Sequence, residues 1–244
     1  MDIHNKVALV TGGAHRLGKA IAMALAQAGA HVAITYKTSG DKAQATVEEI
    51  NQSGAKAAAF QCDQQQLESI DQLFRSLQNE FDHLDIAINS AAIMARQPAL
   101  DITSDDWARV IDTNLRGPFF IAQAAAKWMI EAGIEGSIVN IADLSALQPW
   151  PSYLAHTISK RGVIAMTQAL ALALAPSIRV NAIAPGAILK PDEWDDARWL
   201  RLIDSLPLKH SGTLDDVANA VLFCLQADFM TGQTIVIDGG RSLK

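Results

Sequence analysis

The chain has 244 residues, half of them hydrophobic and 19% charged, with a formal net charge of -6. That is ample apolar material for one large α/β domain or two small ones, and it excludes a disordered or fibrous chain. The acidic balance, without a basic stripe carrying interleaved aromatics, argues against a nucleic-acid partner. The two cysteines, Cys62 and Cys224, lie far apart. They suit reduced structural thiols in a cytoplasmic protein, not a disulfide framework, and no metal site is expected. MDIHNKVALVTGG at the N-terminus lacks the apolar stretch and small-residue cleavage site of a signal peptide. No apolar run is long and clean enough to span a bilayer, so no membrane partner is expected.

Short β-branched runs alternate with longer helical stretches. VALVT (7–11) reads as a buried strand, followed by the helical LGKAIAMALAQAG with its glycine stop. HVAITY (31–36) is the second strand, and a helix runs to about Gln52. KAAAFQC (56–62) is the third, with a helix over about 67–81, and LDIAIN (84–89) the fourth. One helix is expected over roughly 104–132. GSIVNIA (136–142) is the fifth strand, a helix follows from about Ser152 to Ala175, and IRVNAIA (178–184) is the sixth. A polar, Trp-containing loop, a helix near 214–226 and QTIVID (233–238) complete the series. This alternation predicts a seven-stranded, doubly wound parallel α/β sheet in a single domain over 1–244. A (β/α) barrel is the alternative, disfavoured by the strand count and by the glycine loop.

VALVT runs directly into GGAHRLGKAIA, so Gly12, Gly13 and Gly18 sit where the first strand turns into the first helix. Glycines there permit a tight turn and close approach of backbone to phosphate, and the helix N-terminus offers free N–H groups to a pyrophosphate. Arg16 stands where a third glycine is common; a guanidinium there either reaches phosphate oxygens or is a solvated surface charge. A binder of NAD tends to carry a carboxylate at the end of the second strand. This strand ends in TYKTSGD, where Lys37, Thr38 and Ser39 suit a 2′-phosphate and Asp41 comes too late. NADP(H) is the expected cofactor.

These motifs, together with CD (62–63), NSAA (89–92), NLRG (114–117), the Lys160 segment, IRVNAIAPGAI (178–188) and TGQTIVIDGG (231–240), resemble the short-chain dehydrogenase/reductase family over essentially the whole length. The TGxxxRxG form of the loop, Asp143 and the ending DGGRSL look like its pteridine reductase branch. The resemblance implies a Rossmann fold in which Gly12, Arg16, Leu17 and Gly18 hold the phosphates. Lys37, Thr38 and Ser39 would hold the 2′-phosphate and Asp63 would meet the adenine. Asn89 and Ala91 would back the ribose, while Pro185, Gly186 and Ile188 face the nicotinamide amide. The branch usually has an arginine in the 2′-phosphate cluster, where Thr38 falls.

The same resemblance implies a proton donor, normally a tyrosine, four residues before a lysine on one helix face. The lysine binds the cofactor ribose, an asparagine holds the lysine through water, and a serine or aspartate thirteen residues before the tyrosine contacts substrate. Lys160, Asn114 and Asp143 stand at those places, but the tyrosine's place holds His156, with Tyr153 three residues earlier. Three readings of His156 are open: it is the acid itself, oriented by Asp143; Asp143 or Tyr153 donates the proton in its stead; or it marks a catalytically impaired NADP(H)-binding or regulatory paralogue. The leading reading is an NADPH-dependent oxidoreductase that reduces a small carbonyl or pterin-like substrate. Met94 falls where the branch places an aromatic, and a substrate lid is expected over about 188–210. Trp150, Trp194 and Trp199 either wall a planar substrate or pack the lid against the body. A homo-oligomer, tetramer or dimer, is expected through the helices at 104–132 and 152–175.

Overall fold

The computed structural model describes residues 1–244. Its elements run β1 (Val7–Val10), α1 (Arg16–Gln27), β2 (His31–Tyr36), α2 (Gly40–Gln52), β3 (Ala57–Gln61), α3 (Leu67–Glu80) and β4 (Ile86–Asn89). Next come α4 (Ser104–Ile111), α5 (Gly117–Glu131), β5 (Gly136–Ile141), α6 (Leu154–Leu174) and β6 (Ile178–Pro185). The chain closes with α7 (Asp196–Ser205), α8 (Leu214–Gln226) and β7 (Thr234–Ile237). The strands form one sheet in the order β3-β2-β1-β4-β5-β6-β7. Every pairing is parallel, as right-handed helical crossovers require.

β1 shows why these strands read as continuous apolar runs. Ala8 and Val10 enter the core shared with Ile21 and Leu25 of α1 and Val217 and Val221 of α8. Val7 and Leu9 point the other way, into the core built with Leu73 and Leu77 of α3 and Ile121 and Met129 of α5. Both faces are covered, so neither can be polar. The strand order reverses between β1 and β4, which opens a crevice at the carboxyl ends of those strands.

The helix expected over 104–132 is two helices joined without a loop. A π-helical turn, Asp112–Arg116, separates α4 from α5. Pro118 has no N–H to donate one turn back. Gly117 lies so close to the Gln64 carbonyl that a Cβ there would come within 2.5 Å of it. The turn is thus held from outside, and it carries Asn114 inward to 1% exposure. The loop expected after β6 also contains a helix, α7, whose N-cap Asp195 accepts from the Arg198 amide at 2.6 Å.

Candidate active site

Two adjoining cavities lie at the carboxyl edge of the sheet, and Leu17 and Leu189 line both. The first is a groove of about 430 Å³ along the β1–α1 turn. Gly12 has a φ of +66°, and a Cβ on Gly18 would sit 2.2 Å from the Gly12 carbonyl oxygen. The turn is therefore closed to side chains at its tightest point. Arg16 has a φ of 53°, the left-handed region a glycine enters freely. The sequence put an arginine where a glycine is common, and the backbone keeps the glycine conformation. His15 at the N-cap of α1 gives no side-chain hydrogen bond, leaving the first N–H groups of the helix uncapped.

Gly12, Arg16, Leu17 and Gly18 line this groove at one end. Lys37, Thr38, Ser39 and Asp63 line the other, with Ala91 on the floor. Lys37 Nζ is 2.7 Å from Asp63 Oδ2, and Arg16 Nη1 is 3.3 Å from Asp192 in the segment after β6. Asn89, expected behind the cofactor ribose, turns its side chain into the sheet. Its side chain is 4% exposed and lines neither cavity. Its amide donates to Pro118 O at 3.1 Å and Asn140 Oδ1 at 2.9 Å, tying β4 to β5. The uncapped helix end, the closed glycine turn and the cations at both ends fit a dinucleotide phosphate chain.

The second cavity, about 400 Å³, is walled by Met94, Trp150, Trp194 and Trp199, with Pro185, Gly186 and Ile188 on its floor. Asp143 opens into it and is its only carboxylate. Asp143 follows β5, and its Oδ1 accepts from the Ser145 amide at 2.8 Å and from the Ser145 hydroxyl. Its Oδ2 meets His156 Nε2. Burial alone would raise the Asp143 carboxyl; the hydrogen bond and charge of His156, with Lys160 and Ser145, outweigh it and hold it below the ordinary value.

His156 and Lys160 lie one turn apart on α6, at 3% and 5% exposure, and neither lines a cavity. The His156 ring lies nearly parallel to Trp150, at 16° with centroids 6.5 Å apart. Its Nδ1 is 3.1 Å from the Ile93 carbonyl and 3.3 Å from Asn114 Nδ2. Asn114 Nδ2 also donates to Ile93 O at 2.8 Å and to Ser159 Oγ at 3.1 Å. Lys160 Nζ donates to Ile141 O at 2.7 Å. Burial lowers its ammonium pKa and the Asp143 charge partly restores it. Asn114, Asp143, His156 and Lys160 thus form one cluster. Tyr153 is turned from it: its hydroxyl donates to Glu193 Oε1 at 3.1 Å, and burial, reinforced by that carboxylate, raises its pKa.

The sequence reading passed over Ser145, Ser159, the Ile93 carbonyl and Glu193. The spacing Asp143–Leu144–Ser145 is an Asx-turn signal for the first. The Ile93 carbonyl carries no side-chain signal at all. Arg198 and Arg241, both lining the second cavity, were also passed over.

Residues 12–242 match the family model described as enoyl-(acyl carrier protein) reductase. Among curated relatives, 3beta-hydroxysteroid dehydrogenase 1 of Eggerthella lenta is 34% identical, covering 99% of this chain and 95% of that protein. The 3-oxoacyl-[acyl-carrier-protein] reductase FabG of Staphylococcus epidermidis is also 34% identical, covering 97% and 98%. Among solved structures, FolM alternative dihydrofolate reductase 1 of Brucella suis in complex with NADP superposes with a TM-score of 0.93 at 32% identity, covering 100% of this chain and 97% of that one. A dehydrogenase/reductase of Sinorhizobium meliloti 1021 gives a TM-score of 0.90 at 35% identity, covering 98% and 96%. With this match along the whole chain and the glycine turn, doubly wound sheet and twin cavities behind it, the protein belongs to the short-chain dehydrogenase/reductase family of oxidoreductases, which work with a nicotinamide cofactor.

Proposed function

We propose that the protein is an NADPH-dependent reductase of a small carbonyl or pterin-like compound, with the Asp143–His156 pair as its proton source. The observation that carries this reading is the contact of His156 Nε2 with the carboxylate that faces the cavity. Bound nicotinamide supplies the hydride. The chain's own residues must then deliver a proton to the accepting atom. Asn114 Nδ2 has two hydrogens, and its two shortest contacts, Ile93 O and Ser159 Oγ, use both. Ser159 Oγ has a lone pair free for this, because its own proton goes to His156 O at 2.7 Å. His156 Nδ1 therefore donates to Ile93 O. With Asp143 ionised, Nε2 donates as well, and the ring is an imidazolium. The proton leaves Nε2, crosses Asp143 Oδ2 and reaches the substrate, since the ring itself lies behind the carboxylate. Lys160 adds positive charge that keeps Asp143 ionised between turnovers.

Gly12, Gly18 and Arg16 would hold the pyrophosphate, and Lys37, Thr38 and Ser39 the 2′-phosphate, a preference supported by the absence of a carboxylate at the end of β2. Lys37→Glu is expected to reduce kcat/KM for NADPH about tenfold or more while sparing NADH. The segment 188–210 would act as substrate lid. Homo-oligomer assembly through the helices at 104–132 and 152–175 is supported by apolar side chains left in solvent there, Ile130 at 49% and Leu172 at 85%.

NADPH oxidation across pH with dihydropterins, quinones and diketones tests the reading in native protein, His156→Ala and His156→Tyr. His156→Ala should lose about 10²–10⁴ in rate with an altered pH profile. The burial of His156 behind Asp143 favours a second reading, an NADP(H)-binding paralogue without useful turnover. Tight NADPH binding with turnover in His156→Tyr alone would establish that one instead.

A further inference from the structure

The second cavity carries a charge pattern that the reaction does not use. Two guanidiniums line it, Arg198 from α7 and Arg241 from the turn after β7. Each is half-buried and each lies over a tryptophan of the same cavity. Arg198 Cζ is 3.8 Å from the Trp194 ring centroid, and Arg241 Cζ is 5.5 Å from that of Trp150. Neither guanidinium has a carboxylate within ion-pair distance or donates a hydrogen bond. The neighbouring carboxylates are occupied. Asp195 caps α7 through the Arg198 amide, and both Asp238 oxygens accept backbone N–H groups, from Gly240 at 2.9 Å and Ser242 at 2.6 Å. Asp143, the one carboxylate on the cavity wall, is taken by His156 and Ser145. Trp194 Nε1, buried beside the Tyr153 hydroxyl, is outside good hydrogen-bond geometry with it.

An apolar wall with guanidiniums that lie over tryptophans and close no ion pair is matched to an anion. Filling such a cavity with a neutral ligand strips water from the guanidiniums and returns nothing, whereas a carboxylate restores their hydrogen bonds, two at a time on one fork. The tryptophan faces suit a flat body.

We propose that the natural substrate is an acid: a flat, largely apolar carbonyl or cyclic imine compound whose carboxylate is taken by Arg198 and Arg241 while its reducible group faces Asp143. The assignment of the reducible end rests on the reductase reading; the binding of the acid does not.

Phenylglyoxylate and its methyl ester form a matched pair, the same aryl ketone with and without the charge. Binding of each to the NADP⁺-loaded protein is measured by calorimetry, and reduction of each by NADPH oxidation, in native protein and in Arg198→Met, Arg241→Met and the two Lys variants. The acid is expected to bind at least tenfold tighter than the ester. Each Met variant should weaken the acid about ten- to a hundredfold and the ester less than about threefold, with Lys recovering part of the loss. Equal binding of the two probes, no binding of either, or equal losses in the Met variants would overturn the proposal. Acid bound selectively but never reduced upholds the anion site and removes the reductase reading. Ester reduced in preference to acid does the reverse.

Discussion

Asp143→Asn removes the one negative charge from a cluster in which His156 and Lys160 are almost wholly buried, at 3% and 5% exposure. Breaking a buried ion pair from one side costs about 3–5 kcal/mol. The cavity side of Asp143 keeps 19% of its side chain open, so the low end, about 3 kcal/mol, is expected. For a chain of this size that lowers Tm by roughly 6–12 °C. The sign with pH follows from the depressed Asp143 carboxyl. A carboxylate held below its unfolded value of about 3.9 stabilises the fold above that pH and loses the contribution as pH falls through the lower folded value. The gap between native protein and Asp143→Asn should be full at pH 7.5 and close progressively below about pH 4. Thermal melts by circular dichroism across this range measure it. Ser145→Ala, which removes the hydroxyl's hydrogen bond to the same carboxylate and keeps that of the amide, serves as control at about 1 kcal/mol. A gap under about 2 °C at pH 7.5, or one undiminished at pH 3, would refute the account of the cluster as a charge-compensated pair.

Gly18→Ala puts a methyl group 2.2 Å from the Gly12 carbonyl, backbone against backbone, so the turn must open. Fluorescence titration with NADPH should show binding lost or weakened by about 100-fold while the far-ultraviolet spectrum is retained. Cys224 is 0% exposed and burial pushes its thiol up to about 11. It should resist iodoacetamide at pH 8 until the chain unfolds, and its contribution to stability, present below the ordinary thiol value, should fade as pH climbs toward 11. Thr213 accepts from the Asp216 amide at 3.2 Å and closes a capping box at the start of α8. Thr213→Ala should cost about 1 kcal/mol in urea denaturation and leave cofactor binding unchanged.

Period and punctuation made most of the sheet legible. HVAITY maps onto β2 residue for residue, and the other strands differ from their sequence limits only at the ends. The glycine turn was legible because only a backbone constraint explains glycines at a strand-to-helix junction. The break in the helix around Asn114 was not, because its cause lies across the fold in the Gln64 carbonyl packed on Gly117. The direction of the Asn89 side chain was not legible for a similar reason. Its motif lies at the crevice, but the side chain turns inward to Asn140, a partner 51 residues away. The cluster around His156 was half legible. The spacing brought Asp143, His156 and Lys160 together, while the order in which they stand, carboxylate in front and imidazole behind, depends on a carbonyl at Ile93 that any residue type supplies.

The π turn at Asp112–Arg116 sets the phase of everything that follows it. In a regular helix each residue advances the direction of its side chain by about 100°, so one surplus residue rotates the downstream face by that amount. α4 and α5 therefore satisfy two different surroundings, and Asn114 sits at the seam, where neither rhythm governs it. Deleting a single residue here would leave the length of the helices almost unchanged and yet swing Asn114 off Ile93 and His156, or turn the apolar stripe of α5 away from the sheet. The interruption works as a gear between two registers, and the protein keeps its polar centre by never letting the two helices become one.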